Sequence, residues 1–105
     1  ESTMRRSKAN AIVNEFFRDA NPTFWDGKGN KPSVFYEGIW EYPLTEKVRL
    51  EITLVHDDID GWHHCCDLVD TESNDSLDML SGYGIDSALN MVDTIMDLCR
   101  NCEAE

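Results

Sequence analysis

The stretch from Val48 to His56 constrains the fold most strongly, because apolar and polar residues alternate along it. The apolar members of this pattern are Leu50, Ile52 and Leu54, and the polar members are Arg49, Glu51 and Thr53. A period of two places one set on the buried face of a β-strand and the other set in water. The stretch is therefore predicted to be the middle strand of a small sheet.

The residues on either side of this strand supply its two predicted neighbours. Residues 33–42 are rich in aromatic and β-branched residues, which favour strands, but both of their faces carry bulky side chains. The inward face of this first strand is therefore left open. Residues 57–61 are predicted to form a hairpin turn and residues 62–69 the third strand, which is followed by an acidic loop over residues 70–82.

Helical patterns occupy the two ends of the chain. Residues 4–20 and residues 85–102 each carry an apolar stripe at spacings of three and four residues. Pro22 is predicted to end the first helix near Ala20. The order α-β-β-β-α predicts a single α+β domain over residues 1–105. One layer is a three-stranded antiparallel meander, and both helices lie on one face of it.

The charge of the chain restricts the partners that it can bind. The net charge is −12; residues 1–50 contain eight Lys or Arg and seven Asp or Glu, whereas residues 51–105 contain one Lys or Arg and fourteen Asp or Glu. This balance opposes direct binding to nucleic acid or to an anionic membrane, because contacts to phosphates need cations. It favours a basic partner, or else it serves solubility alone.

The acidic residues of the C-terminal half are the predicted partner-binding surface. Its core members lie in the hairpin turn and along the second helix, and they are Asp57, Asp58, Asp60, Asp86, Asp93 and Asp97. Four acids of the predicted loop add to them, namely Asp70, Glu72, Asp75 and Asp78. A row of carboxylates on a rigid helix can imitate the phosphates of a duplex; the alternative is an ordinary solvated helix face.

This surface leads to the preferred functional hypothesis, a small acidic non-catalytic binding or inhibitor protein. It would dock on a basic surface of a protein partner, such as a nucleic-acid-handling enzyme, by nucleic-acid (DNA) mimicry. Inhibitors of this size and charge occur in phages and mobile elements. The expected signature is fast association that weakens steeply with salt.

Histidine and cysteine residues support an alternative, a zinc-stabilised structural or adaptor module, because these residue types suit zinc. The four candidate ligands are His64, Cys66, Cys99 and Cys102. The first two would share one face of a strand, and the other two are neighbours on a helix. The strand pair is separated by a single residue, unlike the usual zinc knuckle, so the preferred interpretation has no metal and no other cofactor.

No arrangement of residues identifies a catalytic site. The sequence lacks a GxSxG nucleophile turn, a glycine-rich phosphate loop and an HExxH pattern, so the chain is predicted not to be an enzyme. A further alternative is a homodimeric interaction domain, since the outer sheet face mixes charges with apolar residues, namely Phe35, Ile39, Val55 and Val69.

The four cysteines also bear on the cellular location. They are too few for a disulfide scaffold, and no apolar run is long enough for a transmembrane span or for the hydrophobic region of a secretory signal. The cysteines are therefore predicted to be reduced thiols in the cytoplasm.

Overall fold

A computed structural model of the chain describes residues 4–24, 34–35, 38–57, 61–83 and 87–101. Within these ranges the chain forms two helices and six strands. In chain order they are α1 (Arg6–Ala20), β1 (Thr23–Phe24), β2 (Val34–Phe35), β3 (Trp40–Pro43), β4 (Val48–Asp57), β5 (Gly61–Asp70), β6 (Ser76–Tyr83) and α2 (Ser87–Asn101). The predicted α+β class, with a helix at each end of the described chain, is confirmed.

The main sheet is an antiparallel meander in the order β3-β4-β5-β6, and the alternating stretch found in the sequence is its long inner strand β4. β4 and β5 pair along their whole length, from Val48 opposite Asp70 to Asp57 opposite Gly61. Residues 58–60, the rest of the predicted hairpin turn, lie outside the described residues. As predicted, the apolar members of the β4 pattern are buried, and they are Leu50, Ile52 and Leu54.

The prediction of a three-stranded sheet was wrong, because the described residues form a fourth strand, β6, where an acidic loop was expected. β6 pairs with β5 from Tyr83 opposite His63 to Ser76 opposite Val69, with a bulge at Leu68 and Val69. The sequence did not indicate this strand because the segment is acidic and Asp is unfavourable in strands. Pairing with β5 outweighs that local preference.

The first predicted strand is also corrected, since residues 33–42 do not form one element. Val34 and Phe35 belong to β2, which pairs with β1 in a separate two-stranded sheet, while β3 begins at Trp40. Between them lies Gly38, whose φ of 132° is a backbone conformation that glycine adopts readily. The inward face of β3 carries Trp40 and Tyr42, both half-buried against the core.

Both helices pack on the same face of the main sheet, as predicted, and on each other. Phe16 of α1 meets Trp40 of β3 edge to face, with their ring centroids 5.4 Å apart. The apolar stripe of α2 is buried, and its members are Met91, Val92, Ile95, Leu98 and Cys99. Neither helix of the described chain is long and apolar enough to cross a membrane.

The two ends of α1 differ in how they are capped. At its start, Arg5 makes no side-chain capping hydrogen bond, and the first turn contains no acidic residue. At its end, Asn21 adopts a left-handed conformation with φ of 51°, a common way for a helix to end, and Pro22 follows. The predicted helix end at Ala20 is confirmed, and the N-terminal turn has no acidic residue of its own to complement the helix dipole.

Candidate binding surface

The predicted carboxylate row on α2 is partly neutralised by the cations of the chain itself. Asp93 accepts a hydrogen bond from Arg6 of α1 at 3.0 Å, and Asp97 lies 3.6 Å from Arg100 one turn further along α2. Such exposed ion pairs contribute little to stability. They nevertheless place a guanidinium beside each carboxylate, so these two residues present less negative charge to a partner than the sequence suggested.

The side chains of the other four predicted contact residues lie outside the part of the chain that the structure describes. Asp57 is described as backbone only, paired with Gly61 at the end of the β4–β5 ladder. Asp58, Asp60 and Asp86 lie outside the described residues. The role of these four carboxylates in binding a partner stays a prediction.

The turn between β5 and β6 presents a second group of acids on a well-defined backbone. Asp70 organises the turn: its carboxylate accepts hydrogen bonds from the backbone N–H groups of Glu72 (2.9 Å) and Ser73 (3.0 Å). Its carbonyl accepts a third from Asn74 at 2.8 Å, and Asn74 has a φ of 65°. Asx turns of this kind fix a tight connection without glycine.

The charge of Asp70 is stabilised by the same turn. The two backbone N–H donors, Ser73 first and Glu72 second, lower the pKa of Asp70, and Lys47 on the adjacent β3–β4 turn adds a smaller effect in the same direction. A carboxylate that accepts backbone hydrogen bonds is favoured in its ionised form. Asp70 is therefore a fixed anion at neutral pH, and its role is to shape the turn.

We define the acidic hairpin as the five carboxylates of this turn and its two flanking strands, namely Asp67, Asp70, Glu72, Asp75 and Asp78. In the part of the chain that the structure describes, none of the five forms an ion pair. Asp67 accepts a hydrogen bond from the Ser76 hydroxyl at 2.7 Å, and Glu72 and Asp75 are exposed. The acidic hairpin thus keeps its charge, whereas the described acids of α2 share theirs with guanidinium groups.

β6 adds an open strand edge to the acidic hairpin. Within the described ranges, β6 is the last strand of the main sheet and no other strand pairs with its outer edge. The Met79 N–H donates to the Asp78 carboxylate at 2.9 Å, so it lies outside the β5 ladder. Since antiparallel residues alternate between facing the partner strand and facing away, the backbone groups of Ser81 and Tyr83 also face outward.

Two large apolar side chains accompany this edge. Leu77 is 51% exposed and Met79 is 54% exposed, whereas Leu80 between Met79 and Ser81 packs against the core. The sequence analysis counted the acids of this segment but missed its edge strand. Exposure alternates from Met79 to Ser81 in the structure, but the sequence does not reveal it, because Met79 and Leu80 are adjacent apolar residues.

The zinc candidates occupy the core rather than an open site. His64 and Cys66 lie on the helix-facing side of β5 and are fully buried, and Cys99 of α2 is buried as well. Cys102 lies outside the described residues. Among the residues that the structure describes, no group of three or more His, Cys, Asp or Glu side chains is arranged to hold a metal ion. The zinc-stabilised module stays an alternative prediction with no further support.

His64 has a packing role that the sequence did not indicate. Its Nε2 atom lies 2.8 Å from the Thr94 hydroxyl, and its Nδ1 atom is buried with no hydrogen-bond partner. Its ring occupies the space above Gly82, where a Cβ atom would lie only 2.5 Å from His64 Cε1. Burial, with a smaller effect from His63, lowers the pKa of His64 to about 4, so the imidazole is neutral at pH 7.

Cys66 is chemically inert for a related reason. Burial is the main cause that raises the pKa of its thiol far above the ordinary value, and the neighbouring Cys65, Cys99 and Asp67 act in the same direction. The thiolate is the reactive form of cysteine. Cys66 therefore serves as a small apolar core residue, next to the neutral ring of His64 on the same strand face.

The outer sheet face is more polar than the homodimer alternative requires. Arg49 donates to Glu51 at 2.9 Å and to Asn74 at 3.0 Å, and it lies 3.7 Å from Glu41. Of the four apolar residues proposed for that interface, Ile39 is 60% exposed but Val69, at the β5–β6 bulge, is buried. The side chains of the other two lie outside the described residues.

These observations define a class: a two-layer α+β fold in which, among the described residues, an edge strand with no outer partner lies beside an acidic turn that forms no ion pair. The chain has no significant match among protein-family models, curated proteins or solved structures.

Proposed function

We propose that this chain is a small, acidic, non-catalytic binding protein that docks on a basic surface of a protein partner through the acidic hairpin. The observation that carries the proposal is the contrast between two groups of acids. Asp93 and Asp97 each lie beside an arginine, whereas the five carboxylates of the acidic hairpin form no ion pair in the described part of the chain.

The energetics of association favour the acidic hairpin over α2. A partner that bound Asp93 would compete with Arg6, so part of the new attraction would replace an existing one. Glu72 and Asp75 have no such ion pair to give up, and the hydrogen bonds of the turn fix the backbone that carries them. Preorganised charges of one sign accelerate encounter with a complementary surface and make association sensitive to salt.

The class of partner follows from the sign of the charge. Enzymes that handle nucleic acid present cationic clefts to phosphates, and an acidic hairpin can occupy such a cleft. This is the inhibitor by nucleic-acid mimicry predicted from the sequence, with the mimicking surface moved from α2 to the acidic hairpin. The proposal keeps the cytoplasmic location predicted from the cysteine content.

The test compares two variants that lose the same charge at different places. The first carries Glu72→Gln, Asp75→Asn and Asp78→Asn in the acidic hairpin, with Asp70 kept because it shapes the turn. The second, the matched control, carries substitutions on the helices, namely Glu15→Gln, Asp19→Asn and Asp97→Asn. Wild type and both variants are immobilised and used to capture proteins from a cell extract at low salt, followed by elution with a salt gradient.

The expected result is a basic protein that wild type and the helix variant retain and the hairpin variant does not. Its association rate with wild type, measured by surface plasmon resonance, should fall steeply as salt rises. Recovery of no basic protein by wild type at low salt would contradict the proposal. Equal capture by the two variants would also contradict it, because net charge rather than the acidic hairpin would then govern binding.

A further inference from the structure

We infer that the outer edge of β6 accepts an extended basic segment of the partner as an additional antiparallel strand of the main sheet. This inference rests on the proposed function and names the mode of recognition at the same site. The outward N–H and C=O groups of Met79 and Ser81 would supply the ladder hydrogen bonds.

The two edges of the main sheet are not equivalent. β3 has four residues and ends on Pro43, and short edge strands and proline are devices that prevent further pairing. β6 has eight residues and contains neither proline nor lysine nor arginine. The bulge at Leu68 and Val69 protects the end of β6 next to the turn, and Asp78 protects its middle, because its carboxylate holds the outward Met79 N–H at 2.9 Å. That contact is reversible, so among the described strands β6 is the edge better suited to accept another strand.

Charge selects a basic segment over a second copy of this chain. An antiparallel pair of β6 with its own copy would bring together two chains that each carry a net charge of −12, so the two copies repel each other. A lysine or arginine opposite Asp78 would instead attract its carboxylate. The Met79 N–H would then be free to join the new ladder.

The register of β6 orders the side chains of the incoming strand. An antiparallel strand runs from the Gly82 end toward the acidic turn, so its earlier residues lie opposite Ser81, Leu80 and Met79. These positions favour apolar or β-branched side chains, since Met79 is 54% exposed and Leu80 is half-buried. Its later residues lie opposite Asp78 and approach Asp75, and these positions favour cations. The segment is therefore apolar first and basic second.

The test uses a synthetic peptide with both ends blocked, Thr-Val-Ile-Val-Lys-Arg-Lys, as the probe. A peptide of the same composition in reversed order is the control for register. Two protein variants form a matched pair: Ser81→Pro removes the outward N–H, whereas Ser81→Ala removes only the hydroxyl. Circular dichroism establishes that both variants are folded, and isothermal titration calorimetry measures the affinity of each for both peptides.

The expected result is that Ser81→Pro binds the probe about tenfold or more weakly than Ser81→Ala, because one ladder hydrogen bond is lost and a carbonyl is left unpaired. The reversed peptide should bind wild type more weakly than the probe. In wild type, hydrogen exchange followed by NMR should show that the probe protects the amides of Met79 and Ser81. This measurement tests the inference even if Ser81→Pro does not fold.

Three results would overturn the inference. The first is equal affinity of the probe for the Pro and Ala variants. The second is no added protection of the Met79 and Ser81 amides in saturating probe. The third is a wild-type dimer in sedimentation that Ser81→Pro dissociates, because the edge would then belong to a second copy. Capture of a basic protein through the acidic hairpin would still support the proposed function in each case.

Discussion

Gly82→Ala is expected to destabilise this fold strongly although it adds a single methyl group. Gly82 lies on the helix-facing side of β6, directly opposite His64 in the β5–β6 ladder. A Cβ atom there would lie 2.5 Å from His64 Cε1, 2.6 Å from His64 Nε2 and 3.0 Å from the Thr94 hydroxyl. His64 is fully buried, so its ring has no solvent to move into.

The magnitude follows from two contributions. Overpacking a well-filled core costs about 1–3 kcal/mol. Displacing the imidazole breaks its 2.8 Å hydrogen bond with Thr94 and leaves buried polar atoms unpaired, which costs about 1–3 kcal/mol more. Replacing glycine by alanine within a strand stabilises the fold by about 0.5–1 kcal/mol, because alanine loses less backbone entropy on folding. The free energy of unfolding is therefore expected to fall by about 1–5 kcal/mol, a large part of a typical total of about 5–15 kcal/mol.

The assay is a double-mutant cycle followed by urea unfolding, with His64→Ala as the second substitution. In the His64→Ala background the space above residue 82 is open, so Gly82→Ala should cost less than about 0.5 kcal/mol or stabilise slightly. The reasoning is refuted if Gly82→Ala costs the same in both backgrounds. That result would mean that residue 82 must be glycine because of its backbone conformation, and not because the His64 ring occupies the space of a side chain.

Three further predictions concern protonation, thiol reactivity and the outer sheet face. Because burial lowers the pKa of His64 to about 4 from about 6.5 in the unfolded chain, its contribution to stability is complete above pH 6.5 and is lost as the pH falls toward 4. Between pH 7 and pH 4.5 the free energy of unfolding, measured with urea, should fall by about 2–3 kcal/mol more in wild type than in His64→Leu. An equal fall in the two proteins would contradict the assignment of this pH dependence to His64. Iodoacetamide at neutral pH should label half-exposed Cys65 in the folded protein and label Cys66 only after denaturation, as read by peptide mass spectrometry. Arg49→Lys should lower the free energy of unfolding by about 1–2 kcal/mol, because a lysine cannot make all the contacts of the guanidinium with Glu51 and Asn74. An unchanged free energy in urea titration would rule out a structural role for these contacts.

The sequence predicted correctly the elements that bury one face only and do so at a regular spacing of residues. In β4, alternate residues are buried at Leu50, Ile52 and Leu54, so the period of two appears without interruption. The stripe of α2 is equally regular from Met91 to Cys99. One-sided burial imposes a periodic pattern on the chain, and that pattern can be read without knowledge of any distant contact.

β6 did not appear in the sequence because non-local pairing forms it. A bulge shifts the register beside Val69, and Leu77 and Met79 remain exposed, so no long alternation develops. The strand forms because β5 offers backbone N–H and C=O groups with which it can pair. Gly38 likewise divides the predicted first strand through a backbone angle that the surrounding aromatic residues do not reveal.

The acidic surface could be predicted in composition but not in arrangement. A count of charges identifies the C-terminal half as strongly acidic. It does not show that Arg6, 87 positions earlier in the chain, lies against Asp93. Nor does it show that the acids near Asp70 are held on a hydrogen-bonded turn and form no ion pair within the described residues. Which carboxylates remain unneutralised is a tertiary property.

The uncapped start of α1 has a consequence for the opposite helix. Arg6 is the first residue of α1, and that turn has neither a capping side chain nor an acidic residue to hold it. Whenever the turn unwinds, the guanidinium leaves Asp93 and α2 regains a full negative charge. The charge of α2 is thus coupled to the integrity of the first turn of α1, and a substitution at Arg5 that stabilises or weakens that turn would change the charge seen from α2.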